Sequence, residues 1–342
     1  MNKKRIAGRG AWSVLLAAGL ALAGCGQRQQ AGCRPDAAAA APTPAVRVQR
    51  LDAPFFNIKG PADAVAFMNA HPVFARFYLQ RRTATDTTGA TALARLAAEP
   101  HLRELAQQTA AAFPDSAALG RDLGALFGRV NYYFPGFRAP RTATFVSGFE
   151  GKDIFVNDSL LVLSLDWFAG PKAKFRPVGL PKYILRNYAP ANLLPTLALR
   201  VATKYNRHDL TANTMLDAMV SGGKALYFAG QMLPCTPDSL LLGYTGKEMV
   251  GVKVNESKVW AHFLEQNLLY NTTPFTIQKY VGERPNVPEI DATCPGRVGQ
   301  WVGLQIVRKY MAEHPNVTLP QLMAERSAQK LLNDSHYRPR RS

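Results

Sequence analysis

Residues 210–234 read LTANTMLDAMVSGGKALYFAGQMLP. Met215, Leu216, Met219, Val220, Gly223, Leu226 and Tyr227 recur at three- and four-residue steps, which places them on one face of a helix. Thr211 or Asn213 is expected to cap its start and Pro234 to stop it. Gly222 and Gly223 fall mid-helix, where each costs about 1 kcal/mol relative to Ala. They leave room for a closely packed neighbour. Asp217 is the one carboxylate on the face. The stretch is expected to be the central buried helix of an enzyme-like scaffold without an enzyme's reactive groups.

A partner for that helix lies downstream. In Pro295-Gly-Arg-Val-Gly-Gln-Trp-Val-Gly303, Pro295 is expected to open a helix at its first position. Gly296, Gly299 and Gly303 share roughly one face and suit close contact with Gly222 and Gly223. Arg297 and Trp301 stand as structural or interaction candidates in the same run.

Outward from this pair, the chain alternates period. Residues 45–58 read as a short extended element. Residues 61–80 (broken at His71-Pro72), 90–112 and 115–130 read as helices. Three apolar, β-branched runs at 142–147, 154–156 and 160–165 follow, split by Gly148, Gly151 and Asn157-Asp158. Their links look too short for crossovers, so they are expected to pair antiparallel. Helices return at about 190–205, 211–233, 245–270, 274–281, 296–313 and 318–332. The pattern is α+β: mainly helical with a small antiparallel sheet.

The N-terminus sets the compartment. A basic start (Lys3, Lys4, Arg5, Arg9) precedes the apolar run 11–23, which is of signal-peptide length and short for a bilayer span. Leu22-Ala23-Gly24-Cys25 resembles the lipobox of bacterial lipoproteins, which implies cleavage before Cys25 and lipid attachment to its thiol. The expected organisation is a lipoprotein signal peptide at 1–24, a flexible Gln/Ala/Pro-rich tether at 25–44, one globular domain at 45–337 and a basic tail at 338–342. No acidic cluster follows Cys25, which favours an outer-membrane position facing the periplasm. In that oxidising space Cys235 and Cys294 are candidates for a disulfide, and Cys33 is expected to be free.

Net charge is +17 over 342 residues, and the four N-terminal cations leave +13 on the rest. Such a balance favours anionic surfaces. No Lys/Arg block is interleaved with aromatics as nucleic-acid sites require, so no nucleic-acid partner is expected. Zinc-peptidase chemistry needs two His at i and i+4 with a Glu between them. None of the six His begins an HExxH, and residues 191–206 hold neither His nor Glu. His262 and Glu265, one helical turn apart, are weak metal candidates without further ligands, as are His101 and Glu104. No GxSxG, Walker or GxGxxG run is present. No catalytic residue, metal or cofactor is therefore expected.

The order and wording of MVSGGKALYFAGQMLP, LLGYTGKEM, NESKVWAHFLEQNLLYNTT and PGRVGQWVGLQIVRKYM, behind the lipobox, resemble the gliding-motility lipoproteins (Gld B type) of Bacteroidota. The resemblance implies an envelope protein that supports gliding, and in some members type IX secretion, through protein partners of that apparatus. The same runs are more distantly similar to zinc-peptidase domains, which implies a degenerate zincin-like scaffold; Ser221-Gly222-Gly223 stands where those carry a ligand. Two alternatives compete with this non-enzymatic reading. One is a metal-dependent hydrolase with a non-standard site; the other is a lipoprotein that binds anionic glycan or peptidoglycan. Asp86-Thr87, Asp115-Ser116, Asp158-Ser159 and Asp238-Ser239 also resemble an O-glycosylation motif of these bacteria, although Asp-Ser equally serves caps and turns.

Overall fold

A strict alternation in the middle of the chain builds two cores at once. The computed structural model describes residues 33–34, 37–81, 86–209 and 211–339, all within one unit spanning Gly32–Ser342. The expected signal peptide, Cys25 and the end of the basic tail lie outside the described residues. Four strands form one sheet: β1 (Val48–Arg50), β2 (Arg141–Phe145), β3 (Ile154–Val156) and β4 (Leu160–Ser164). Every residue of β4 is buried. Leu160 and Val162 point into a core with Phe55, Phe67, Phe74 and Leu93. Leu161 and Leu163 point the other way, into the larger core. Side chains two apart share a face, so a continuous apolar run marks a strand covered on both sides.

The sheet order is β1-β2-β4-β3, and this corrects the antiparallel expectation. β1 and β4 both run parallel to β2, with Val48 opposite Thr142 and Ala143 opposite Val162. Only β3 and β4 pair antiparallel, Phe155 opposite Val162. Residues 146–159 carry the chain out along the β3 edge and back. That excursion supplies the dozen or so residues a parallel connection needs, so β4 enters between β2 and β3.

Sixteen α-helices are described. On the smaller core lie α1 (Asp52–Phe56), α2 (Pro61–Ala70), α3 (Pro72–Phe77), α4 (Thr87–Ala98) and α5 (Pro100–Ala112). The larger core takes α6 (Ser116–Tyr133), then, after the sheet, α7 (Lys182–Leu185), α8 (Leu193–Tyr205), α9 (Met215–Met232), α10 (Asp238–Leu242) and α11 (Gly246–Val254). It is completed by α12 (Glu256–Glu265), α13 (Pro274–Val281), α14 (Val298–Glu313), α15 (Leu319–Ala324) and α16 (Ala328–Ser335). The span expected as one helix at 245–270 breaks at Asn255, which ends α11 and starts α12.

Caps explain several boundaries. α9 starts at Met215 because Thr214, rather than Thr211 or Asn213, forms a capping box with Asp217; the one carboxylate on that stretch is thereby used. Asp86 accepts from the Gly89 N–H at the start of α4, and Asp115 from those of Ala117 and Ala118 at α6. α14 begins at Val298, later than Pro295, with Arg297 as its cap in the left-handed region at φ 60°.

The segment before β1 packs against α6. Gly120, Gly124 and Gly128 line one side of α6. A Cβ on them would stand 2.7, 2.5 and 2.4 Å from the carbonyl oxygens of Val46, Pro44 and Pro42. Residues 42–46 therefore lie in a groove that only glycine leaves open.

Candidate functional site

The loop that follows β2 shapes a cavity at the carboxyl ends of β2 and β4, the place where α/β sheets commonly hold ligands. Gly148, Phe149 and Gly151 all take left-handed backbone (φ 71°, 64° and 72°), which turns the chain sharply. Asp166, just beyond β4 and 1% exposed, holds the turn. Its carboxylate accepts from the Ser147 N–H at 3.1 Å, the Ser147 hydroxyl at 3.0 Å and the Phe149 N–H at 2.9 Å. Burial raises the Asp166 pKa against the pull of those three donors. Tyr78 and Ser164 bond through their hydroxyls at 2.9 Å, and the Ser164 hydroxyl also donates to the Lys152 carbonyl at 2.8 Å.

Above this frame is a cavity of about 730 Å³, within the usual range for ligand sites. Its walls are Phe55, Phe77, Leu93, Leu102, Leu105, Phe145, Phe155 and Phe175, with Leu96, Glu99, His101, Glu150 and Lys152 also lining it. The polar groups at its base are bonded to one another. The cavity thus offers a largely apolar surface, with Glu99, His101, Glu150 and Lys152 as its titratable lining. Of the sequence candidates, His101 lines this cavity. The Gly-Phe-Glu-Gly run at 148–151, which separates two strands, is the sequence signal for the turn beside it.

The glycine-bearing helices meet elsewhere. α9 crosses α14 where Gly223 faces Gly303. A Cβ on Gly303 would lie 1.8 Å from the Met219 carbonyl oxygen, and one on Gly223 2.2 Å from the Gly303 carbonyl carbon. Gly222 faces the Gln300 side chain, Gly299 faces Val281 and Met219, and Gly296 faces the Arg284 backbone rather than α9. Pro295 lies in the loop before α14. Arg297 donates to the Leu242 carbonyl at 2.8 Å and to Gln300 Oε1 at 3.0 Å, and pairs with Glu283. Trp301 is 1% exposed, and its indole N–H has no partner among the described residues. These contacts are internal: the run builds the domain's core.

Lys224 is the group that sequence reading passed over. It is 2% exposed, and its ammonium donates to the carbonyls of Arg207 and Glu325, each at 2.6 Å. Burial lowers its pKa to about 8. Its four-residue step from Val220 marked it as lying on the buried face.

The remaining candidates separate. His262 Nε2 lies 2.9 Å from the Tyr280 hydroxyl, Glu265 is exposed, and Glu104 pairs with Lys174. Among the described residues no three His, Cys, Asp or Glu side chains are grouped to hold a metal ion. The cysteine expectation is overturned: Cys33 bonds Cys235, while Cys294 is free and buried. Burial pushes the Cys294 thiol up to about 12. Cys235 sits exposed beyond the end of α9 and meets the N-terminal segment, whereas Cys294 packs into the core ahead of α14.

Fold and site together define a mainly helical α+β protein whose sequence-marked glycines serve packing and whose cavity offers a surface for binding. The chain belongs to the family of the gliding motility protein GldB, whose model matches residues 33–339. Neither the curated proteins nor the solved structures contain a match to it.

Proposed function

We propose that this chain is a non-enzymatic envelope lipoprotein, lipidated at Cys25 and facing the periplasm from the outer membrane. It supports the gliding apparatus, and type IX secretion with it, through protein contacts. The cavity at the carboxyl ends of β2 and β4 is the observation that carries the binding half of this reading. Its walls are Phe and Leu, and the carboxylate and hydroxyls at its base are already paired. Such a surface receives an apolar group of a partner. On this reading α8, without His or Glu, and Ser221-Gly222-Gly223 of α9 are packing elements of a zincin-like scaffold that has no peptidase chemistry.

Deletion of the gene, followed by restoration as wild type or Cys25→Ala, tests the reading. Spreading and secretion are expected to fail in the deletion, to return with the wild type and to return poorly with Cys25→Ala. Normal spreading in the deletion would sink the gliding role. Stoichiometric zinc or iron in the purified protein would favour the hydrolase alternative.

A further inference from the structure

The dipeptide Cys33-Arg34 is held by more bonds than its place in a tether requires. Cys33 is joined to Cys235 across 202 residues of sequence. The Arg34 N–H donates to the Pro234 carbonyl at 2.9 Å. Its guanidinium donates to the carbonyls of Thr236 at 2.7 Å and of Leu233 and Pro234 at 3.3 Å, and pairs with the Asp238 carboxylate. Arg308 grips the same carboxylate with two bonds of 2.7 Å. The last carbonyls of a helix lack partners within it, and a cation there also suits the helix dipole. Arg34, arriving from far away in sequence, places its cation at that end of α9, on the carbonyl of the C-cap Leu233 and on two carbonyls of the turn beyond it.

The clamp lies only eight peptide steps from Cys25, and eight extended residues reach at most about 29 Å. If it were absent, the next buried residue among the described ones would be Ala38. That residue is thirteen steps from Cys25, with a reach of about 47 Å.

We propose that the Cys33–Arg34 clamp fixes the point at which the lipid anchor leaves the domain, so that the face formed by the end of α9 and by α10 is the one turned toward the bilayer. The partner of this surface is the membrane that holds the anchor, and the opposite parts of the domain stay open to protein partners. This inference rests on lipidation of Cys25.

The test uses the full lipidated chain, reconstituted into phosphatidylcholine vesicles that carry an acceptor dye on their headgroups. A donor dye replaces Lys309, next to Arg308. The wild type is compared with Cys33→Ser/Cys235→Ser/Arg34→Ala. A second chain keeps the clamp but has about twelve Gly/Ser residues inserted after Gly26, a flexible addition to the leash. Flotation with the vesicles reads the anchor, and energy transfer reads the distance. All three proteins are expected to float, with transfer strongest in the wild type and reduced in both altered chains. Equal transfer in all three would overturn the clamp's role while leaving lipidation intact. A wild type that fails to float would overturn the anchor reading, and the orientation with it. Should the triple variant fail to fold, the wild type treated with a thiol reductant, which opens Cys33–Cys235, takes its place, and transfer unchanged by reduction would overturn the clamp's role.

Discussion

Lys224 shows how one residue can contradict the pattern around it. Burial lowers its pKa to about 8, while an unfolded lysine titrates near 10.4. Below about pH 8 both states carry the proton, so stability does not vary with this group. Between about 8 and 10.4 the unfolded chain keeps the proton and the folded chain has released it. Stability therefore rises with pH in that window. A neutral amine still has two N–H bonds for the carbonyls of Arg207 and Glu325. Lys224→Met is expected to lose this rise and to destabilise the fold at pH 7, because two carbonyls lose their donor, at about 1–3 kcal/mol each if left unpaired. Urea titrations of both proteins at pH 7, 8.5 and 9.5 check it; parallel pH curves would refute the assignment. A simple apolar pattern assigns lysine to the surface, which is why this residue could be read only from its position and not from its type.

At the level of elements, the contact between α9 and α14 is specific to its glycines. Gly303→Ala sets a methyl 1.8 Å from the Met219 carbonyl oxygen. Backbone on both sides leaves no rotamer to yield, so the helices must move apart at a cost of about 1–3 kcal/mol or more. Gly222→Ala meets only the Gln300 side chain, at 2.9 Å, which can turn away. The expected result is a clear fall in Tm for Gly303→Ala and a small change for Gly222→Ala. Equal Tm values would show that the crossing is looser than its geometry. The glycines of both helices were visible in sequence because glycine inside a helical period needs a packing reason. The stripe Gly120, Gly124, Gly128 on α6 has the same logic, but its partner is an irregular segment, residues 42–46, with no helical period to match. Composition alone marked residues 42–44 of it as tether, and the groove on α6 is what holds them against the domain.

For the whole molecule, the cavity shares walls with the smaller core, but part of its lining is exposed. Leu96, at the cavity and 52% exposed, can accept charge without opening the interior. Leu96→Glu is therefore expected to melt close to the wild type, since exposed substitutions usually fall within about 0.5 kcal/mol. It is also expected to restore spreading poorly to the deletion strain, since a carboxylate would stand against an apolar partner group. Full spreading with this variant would remove the cavity from the binding surface. The mainly helical α+β class and most helices were legible, because hydrophobic period and breakers are local. Strand order was not: β4 is next to β2 only because the 146–159 excursion leaves room, and no pattern within β4 distinguishes a parallel from an antiparallel neighbour.

The amino-acid sequence by itself determined the α+β class, the paired glycine-rich helices and the resemblance to gliding-motility lipoproteins. Each rests on residues a few positions apart or on the wording of short runs. Tertiary structure decided which cysteine meets Cys235, where Arg34 and Lys224 find their carbonyls, which way β4 runs and where the apolar cavity opens. Those pairings join residues 17 to 202 positions apart. They depend on how packed elements close the long loops between them, and that geometry is not written in any local period.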